Sequence, residues 1–488
     1  MRKAPARWAI AALDQGSSRT RAALFDPHGK ILARADAPIQ TFSPRPGWIE
    51  HDPTEIWKTT QRVLRKIVRE AIRLKSPPIA LGIANQRSTF LCWDRQSGAP
   101  LSPAISWQDR RAGDRLADFA RPDFIKKTGL PLTPYYAATK LAAVLRQMKK
   151  ERRSIKNLVC GTVNTFLIWH LTGGAVHRTD PTNAARMLLY NLDEGDWDDD
   201  LLYHFRIPRE ILPEVAPTQS DFGEAVMDGV RLPITCSIGD QQASLAGLGG
   251  LTRGAANVNY GTGGFFLVNT GTRRATVPGL LSSVAWSSEK ETTYLVEGTV
   301  NGIGPLFTWL RTLGLIRSEK EIDAACAKSR ERIFFLPALI GLGAPHWDNT
   351  VQTTLFGLTG ACRKEDLVRG AVEGIAFLMT DIFTLIQKDK SIPIRKIIAS
   401  GGGSQIKRLL QMQADLFGKP ITVTNDPDST IRGAALLTDK ARDGVNQKYF
   451  QVALIKETFF PQIKGTKREA LCRRWNQMLT QAQALYRI

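Results

Sequence analysis

Near the N-terminus runs Ala12-Leu13-Asp14-Gln15-Gly16-Ser17-Ser18-Arg19-Thr20-Arg21-Ala22-Ala23-Leu24-Phe25. Its apolar flanks read as two strands, 9–13 and 20–25, joined by a tight Gly/Ser turn. The design returns past the middle of the chain as Val258-Asn259-Tyr260-Gly261-Thr262-Gly263-Gly264-Phe265-Phe266-Leu267-Val268. Such a turn gathers backbone N–H groups into a concavity that suits phosphate oxygens. Hydroxyls of Ser17, Ser18 and Thr262 add donors, and Arg21 adds charge. One loop of this kind is an ordinary hairpin. Two of them half a chain apart suggest a duplicated pair of domains gripping a polyphosphate from both sides.

Working outward, Asp52-Pro53-Thr54-Glu55 carries a helix-start pattern: Asp as N-cap, Pro at the first helical position and Glu closing the box. The helix is expected over 53–74, with strands at 79–84 and 90–93. A further strand at 394–399 leads into Ser400-Gly401-Gly402-Gly403-Ser404, and Ile406, Leu409, Leu410, Ala414 and Phe417 then keep helical spacing. Strand, glycine turn and helix N-terminus let a nucleotide phosphate come close to backbone. Alternation of short apolar runs with amphipathic helices gives an α/β fold. Four glycines within 247–254 mark a boundary between domains spanning 1–247 and 248–488.

The chain has 488 residues, 43% hydrophobic and 23% charged, which excludes a disordered or fibrous protein. No apolar stretch approaches membrane-spanning length; the longest candidate, 334–345, is broken by Pro337, Gly341 and Gly343. The basic start, Met1-Arg2-Lys3, precedes an apolar run too short for a signal peptide. Six scattered cysteines and six histidines without ligand spacing argue against disulfides and zinc and for a cytoplasmic setting. The net charge of +20 can steer anions, but no nucleic-acid signature focuses it. Lys149-Lys150-Glu151-Arg152-Arg153 and the basic segment 464–474 read as solvated surface. Neither nucleic acid nor membrane is an expected partner. Gly29-Lys30 and Gly418-Lys419 lack the following Ser or Thr of a Walker A motif, and there is no Gly-x-Gly-x-x-Gly.

Asp240 is the carboxylate placed for chemistry. It closes the apolar run 232–238 and precedes Gln241-Gln242, and ligands of α/β sheets bind beyond the C-terminal ends of strands. In a loose phosphoryl transfer such a group orients the acceptor hydroxyl and takes its proton as the oxygen–phosphorus bond forms. Asp14 would help hold Mg²⁺, which favours carboxylates together with water and substrate phosphate. Read alone, Asp240 serves equally as a strand-end cap.

Together, Asp14-Gln15-Gly16-Ser17-Ser18, Pro46-Gly47-Trp48-Ile49-Glu50-His51-Asp52-Pro53, Ser106-Trp107-Gln108-Asp109-Arg110-Arg111, Gly239-Asp240-Gln241-Gln242 and Tyr260-Gly261-Thr262-Gly263 resemble the FGGY carbohydrate kinases, in their glycerol kinase branch. Thr179-Asp180-Pro181-Thr182-Asn183-Ala184, Gly341-Leu342-Gly343-Ala344-Pro345-His346-Trp347-Asp348 and Phe356-Gly357-Leu358-Thr359 extend the likeness in order, over nearly the whole chain. The resemblance implies two actin-like (ribonuclease H-like) α/β domains with an interdomain active-site cleft. It implies ATP- and Mg²⁺-dependent phosphorylation of a hydroxyl of glycerol or a related polyol or sugar, and assembly as a homodimer or homotetramer. Carried over by position, Asp240 is the base and, with Asp14, the metal ligand. Ser17, Ser18, Arg21 and Thr262 hold polyphosphate, while Gly304, Thr308, Gly402 and Ile406 border the nucleotide. Arg87, Ser88, Tyr135, Asp240 and Gln241 meet the acceptor, with Trp107 and Phe265 as walls.

Ser88 departs from the branch's Arg-Glu pattern, which opens the alternative of a xylulose, ribulose or erythritol kinase. A non-catalytic nucleotide sensor is a reading of another class. Ile406 and Thr308 stand where the branch places Asn and Gln. The loop Asp228-Gly229-Val230-Arg231 is shorter than the branch's sugar-bisphosphate regulatory loop, so that regulation is not expected.

Overall fold

The computed structural model describes residues 8–424, 426–440 and 455–486; Met1-Arg2-Lys3 lies outside them. The chain divides into two compact units. The first comprises Met1–Gly249, Ser283–Tyr294 and Asp428–Val452; the second comprises Gly250–Ser282, Leu295–Pro427 and Ala453–Ile488.

The first unit is built on a six-stranded sheet in the order Glu224–Met227, Val230–Gly239, Pro78–Asn85, Ala9–Gln15, Arg19–Phe25, Ile31–Pro38. Ala9–Gln15 is buried along its whole length, as expected of a strand covered on both faces. It pairs antiparallel with Arg19–Phe25 and parallel with Pro78–Asn85, which in turn pairs parallel with Val230–Gly239. The short loop at 228–231 is a two-residue turn, with Asp228 and Gly229 both at positive φ as a tight hairpin requires. The helix Pro53–Arg73 turns Ile56, Val63, Leu64, Ile67, Val68 and Ala71 into the core at three- and four-residue spacing. Each large aliphatic residue among these contributes about 1.5–3 kcal/mol. Asp52 caps its start by accepting from Thr54 N–H at 2.8 Å, while Glu55, expected to close the box, accepts from Gln40 N–H at 3.1 Å. A four-stranded sheet, Glu50–His51, Ala104–Ile105, Phe90–Asp94, Leu158–Thr162, joins two of the sequence motifs. Asp109 accepts from Ile49 N–H at 2.6 Å, and Arg111 bridges Asp109 and Glu50 while stacking on Trp48.

A returning helix, Ser429–Lys440, belongs to this first unit and packs against the helix Asp240–Gly247. The approach is so close that a Cβ on Gly433 would lie 1.8 Å from the Ala243 carbonyl, and one on Gly247 would lie 2.0 Å from that of Ser429.

The second unit repeats the theme. Its sheet includes, in order, Gly264–Gly271, Ala255–Tyr260, Lys396–Ser400, Ile421–Thr424 and Ile455–Phe459. Ala255–Tyr260 pairs antiparallel with Gly264–Gly271 and parallel with Lys396–Ser400. Each unit therefore places a hairpin beside a parallel strand, as the two glycine-bearing loops suggested. Contrary to the expectation that no such stretch exists, the helix Lys364–Lys388 is long and apolar enough for a membrane span. It is mostly buried, and Val368, Ile375, Phe377, Met379 and Phe383 lie in the hydrophobic core. All six cysteines are free thiols.

Candidate active site

In the first unit, strand register assembles the site. Gln15 and Gly239 both stand opposite Asn85, so three parallel strands end level with one another. Their final residues and the first residues beyond them bring Asp14, Arg87 and Asp240 to one edge, the edge at which α/β sheets bind ligands.

Asp14 is 3% exposed and lies opposite Arg21 across the hairpin, receiving its guanidinium at 2.5 Å. Asp428, 3.8 Å from Arg21 and 2.6 Å from Arg34, extends the charged cluster. Burial raises the Asp14 carboxyl above its usual range, Arg21 opposes the shift, and the Asp428 charge adds to it. Asp240 opens the helix Asp240–Gly247, with Arg87 Nε 3.4 Å from its carboxylate and Gln241 N–H donating to it at 2.8 Å. Its carboxyl is pushed up to about 6, first by desolvation and further by the Asp14 charge, against the pull of Arg87. A carboxylate held in this range stays ionised near neutrality and is a better proton acceptor than an ordinary aspartate. Beside it, the buried Gln241 Oε1 has no hydrogen-bond partner, which leaves an acceptor for a hydroxyl.

Other expected residues are placed differently. The Ser17 hydroxyl donates to Gln86 Oε1 at 3.1 Å and accepts from Trp107 Nε1 at 3.2 Å. Its hydroxyl is therefore engaged on both sides by neighbouring side chains. Ser18 is exposed, and its carbonyl accepts from Ile39 N–H. Ser88 is buried with φ +62° and donates to the Arg186 carbonyl at 3.1 Å, so its hydroxyl serves its own backbone. Trp107 and Tyr135 are half-buried, and one side chain that sequence reading missed ties their segments together. Lys140, wholly buried, donates to the carbonyls of Ser106 and Tyr135 at 2.8 and 3.0 Å. Desolvation lowers its ammonium to about 7.

A second missed residue is Asp180. It accepts from Thr182 N–H at 2.9 Å and from the Thr182 hydroxyl at 2.6 Å, and that hydroxyl accepts from Gly239 N–H at 2.7 Å. The buried carboxylate thus braces the backbone just ahead of Asp240. The only sequence signal for either residue was its place inside an apolar helix or a Thr-Asp-Pro-Thr run.

In the second unit, the glycine loops approach one another through backbone. Gly304 N–H donates to the Thr262 carbonyl at 3.0 Å, and Thr262 itself is exposed. Gly401 has φ +82°, and a Cβ there would stand 2.6 Å from the Tyr260 carbonyl. Only glycine meets both demands. Gly402 faces open space, where a ligand can come close. Phe265 is half-buried opposite Asn259. Thr308 is exposed and its hydroxyl accepts from Arg311 at 2.9 Å. Ile406 opens the helix Lys407–Phe417 as its N-cap. Its side chain is 4% exposed within the hydrophobic core, and its N–H donates to the Gly403 carbonyl. An apolar residue opening an amphipathic helix is drawn inward by the packing that forms the helix.

Among the described residues no group of three metal-ligating side chains occurs. Asp14 and Asp240 form a two-carboxylate oxygen set, which fits Mg²⁺ because that ion keeps water and substrate phosphate among its ligands.

Residues 9–247 match the FGGY family of carbohydrate kinases, N-terminal domain, and residues 256–441 match its C-terminal domain. A glycerol kinase of Alkalilimnicola ehrlichii is 40% identical, covering 97% of this chain and 98% of its own. One of Thermus brockianus is 38% identical over the same shares. The crystal structure of Plasmodium falciparum glycerol kinase with ADP superposes with a TM-score of 0.88 at 28% identity, covering 98% of each chain. Both halves of the chain match the family's two domains and full-length relatives reach 40% identity, so this chain belongs to the FGGY family of carbohydrate kinases.

Proposed function

We propose that the protein transfers the γ-phosphoryl group of ATP to a hydroxyl of glycerol or a closely related polyol. The observation that carries this reading is the level ending of three parallel strands at Gln15, Asn85 and Gly239, with Asp14, Arg87 and Asp240 at their tips. Asp240 accepts the proton of the acceptor hydroxyl as that oxygen bonds to the γ-phosphorus and the bond to the leaving ADP oxygen breaks. Arg87 holds the carboxylate in place from one side. Gln241 Oε1 accepts from a second hydroxyl of the acceptor, which favours a polyol over a simple alcohol. Mg²⁺, when bound by Asp14 and Asp240, neutralises phosphate charge. In the second unit, the backbone around Thr262, Gly304 and Gly402 suits close contact with the nucleotide, and Phe265 supplies an apolar surface.

A second reading, a kinase for a longer polyol or ketose, rests on Ser88. Its short, internally bonded hydroxyl brings no charge to the acceptor side. An ADP-release assay with ATP and Mg²⁺ across glycerol, erythritol, xylulose and ribulose separates the two. Saturable turnover on glycerol, lost in Asp240→Asn, supports the first; preference for a longer acceptor supports the second. Absence of Asp240-dependent turnover on all four would sink both.

A further inference from the structure

Gln86 follows the strand Pro78–Asn85, is 1% exposed, and has all four of its amide hydrogen-bonding positions filled. Its Nε2 donates to Gln15 Oε1 and to the Gly16 carbonyl, both at 3.2 Å. Since the carbonyl only accepts, the amide orientation is fixed, and Oε1 must face the hydroxyls. Oε1 accepts from Ser17 Oγ at 3.1 Å and from Thr89 Oγ1 at 2.9 Å. Thr89, fully buried, in turn accepts from Trp107 N–H at 3.1 Å, and Trp107 Nε1 donates to Ser17 Oγ at 3.2 Å. Ser17, Gln86, Thr89 and Trp107 therefore close a ring in which each hydroxyl donates once and accepts once.

We infer that Gln86 and Thr89 are positioning residues that lock the loop of Ser17 to the wall formed by Trp107, so that phosphate loop and acceptor wall are set as one unit. This rests on the kinase reading above. Ser17 is on a turn and Trp107 follows a two-residue strand, so neither is fixed by its own element. Gln86 instead anchors both to the sheet, since its N–H donates to the Gln15 carbonyl at 2.8 Å and continues the parallel ladder. Networks of this kind act together, and losing one member releases the rest.

The test uses the isosteric Thr89→Val, the conservative Thr89→Ser, Ser17→Ala and the Ser17→Ala/Thr89→Val double variant. Thr89→Val should lower kcat/KM about tenfold and raise KM for acceptor and ATP together, while Thr89→Ser stays within about twofold. The double variant should be no worse than the poorer single one. A role confined to stability would instead lower the melting temperature and leave both KM values in place. Additive losses in the double variant, or a changed KM for one substrate only, would overturn the inference.

The indole N–H resonance of Trp107, assigned with Trp107→Phe, reports the ring independently of turnover. It should move in Ser17→Ala. An unmoved resonance with normal wild-type turnover overturns the ring alone. A moved resonance with no wild-type turnover on any acceptor overturns the kinase reading, and the positioning role with it.

Discussion

The two hairpins share a backbone plan and differ in what fills it. One residue pair in from each turn, the first unit sets Asp14 against Arg21, and the second sets Asn259 against Phe265. The first edge is charged, with Asp428 and Arg34 adding to it. The second is neutral and shaped by close backbone approach at Gly304 and Gly401. On the proposed reading, the repeated plan is divided between chemistry and fit. Substitutions at the charged edge should act on kcat, and those at the neutral edge on nucleotide KM and on stability.

The largest effect is expected from Asp240→Asn, which removes the proposed base and should lower kcat about 10³-fold in steady-state assays. Its melting temperature at pH 7 should not fall, because a partly exposed carboxylate whose desolvation disfavours ionisation is removed. A loss confined to KM would break the comparison.

The pH profile sharpens it. With the folded carboxyl at about 6, kcat/KM should be flat above that pH and fall tenfold per unit below it. Stability runs the opposite way. Asp240 and Asp180, both raised to about 6, bind protons more readily folded than unfolded. Their favourable contribution is full below about pH 4 and is lost as pH rises through 6. Thermal melts of Asp180→Asn between pH 4 and 7 should show a flatter slope than wild type.

Gly401→Ala tests the neutral edge. The backbone conformation, φ +82° with ψ 171°, is essentially reserved to glycine and costs another residue about 1–3 kcal/mol, and the overlap with the Tyr260 carbonyl adds to it. Calorimetry should show a lowered melting temperature, and ATP KM should rise by about tenfold while kcat changes little. The smallest effect belongs to Thr262→Ala. Its side chain is exposed, and the contact with Gly304 is made by its carbonyl. ATP KM should stay within about twofold, since losing an exposed hydroxyl costs well under 1 kcal/mol.

Much of this fold was legible because its signals are local. Alternating apolar runs marked the strands of both hairpins, glycine clusters marked the turns, and Asp52-Pro53 marked a helix start. Asp240 stood out because a carboxylate closing an apolar run is a local pattern too. The parts that escaped are set by contacts between distant residues. Gln86 draws its meaning from Ser17 and Thr89, and Lys140 from Ser106 and Tyr135; none of these pairs has a periodic spacing. The helix Ser429–Lys440 lies far along the chain and yet folds with the first unit, a return that reading in sequence order does not reveal.

That return has a consequence for how the protein is born. The helix carrying Asp240 presents its Ala243 and Gly247 backbone to Gly433 and Ser429, which leave the ribosome much later. At ~5–20 residues per second, the wait is roughly 10–40 s, during which the surface behind the base has no cover. The unit that carries Asp240 is therefore finished late in translation. A chaperone or a slow-folding variant of residues 429–440 should alter its yield more than any change near the start of the chain.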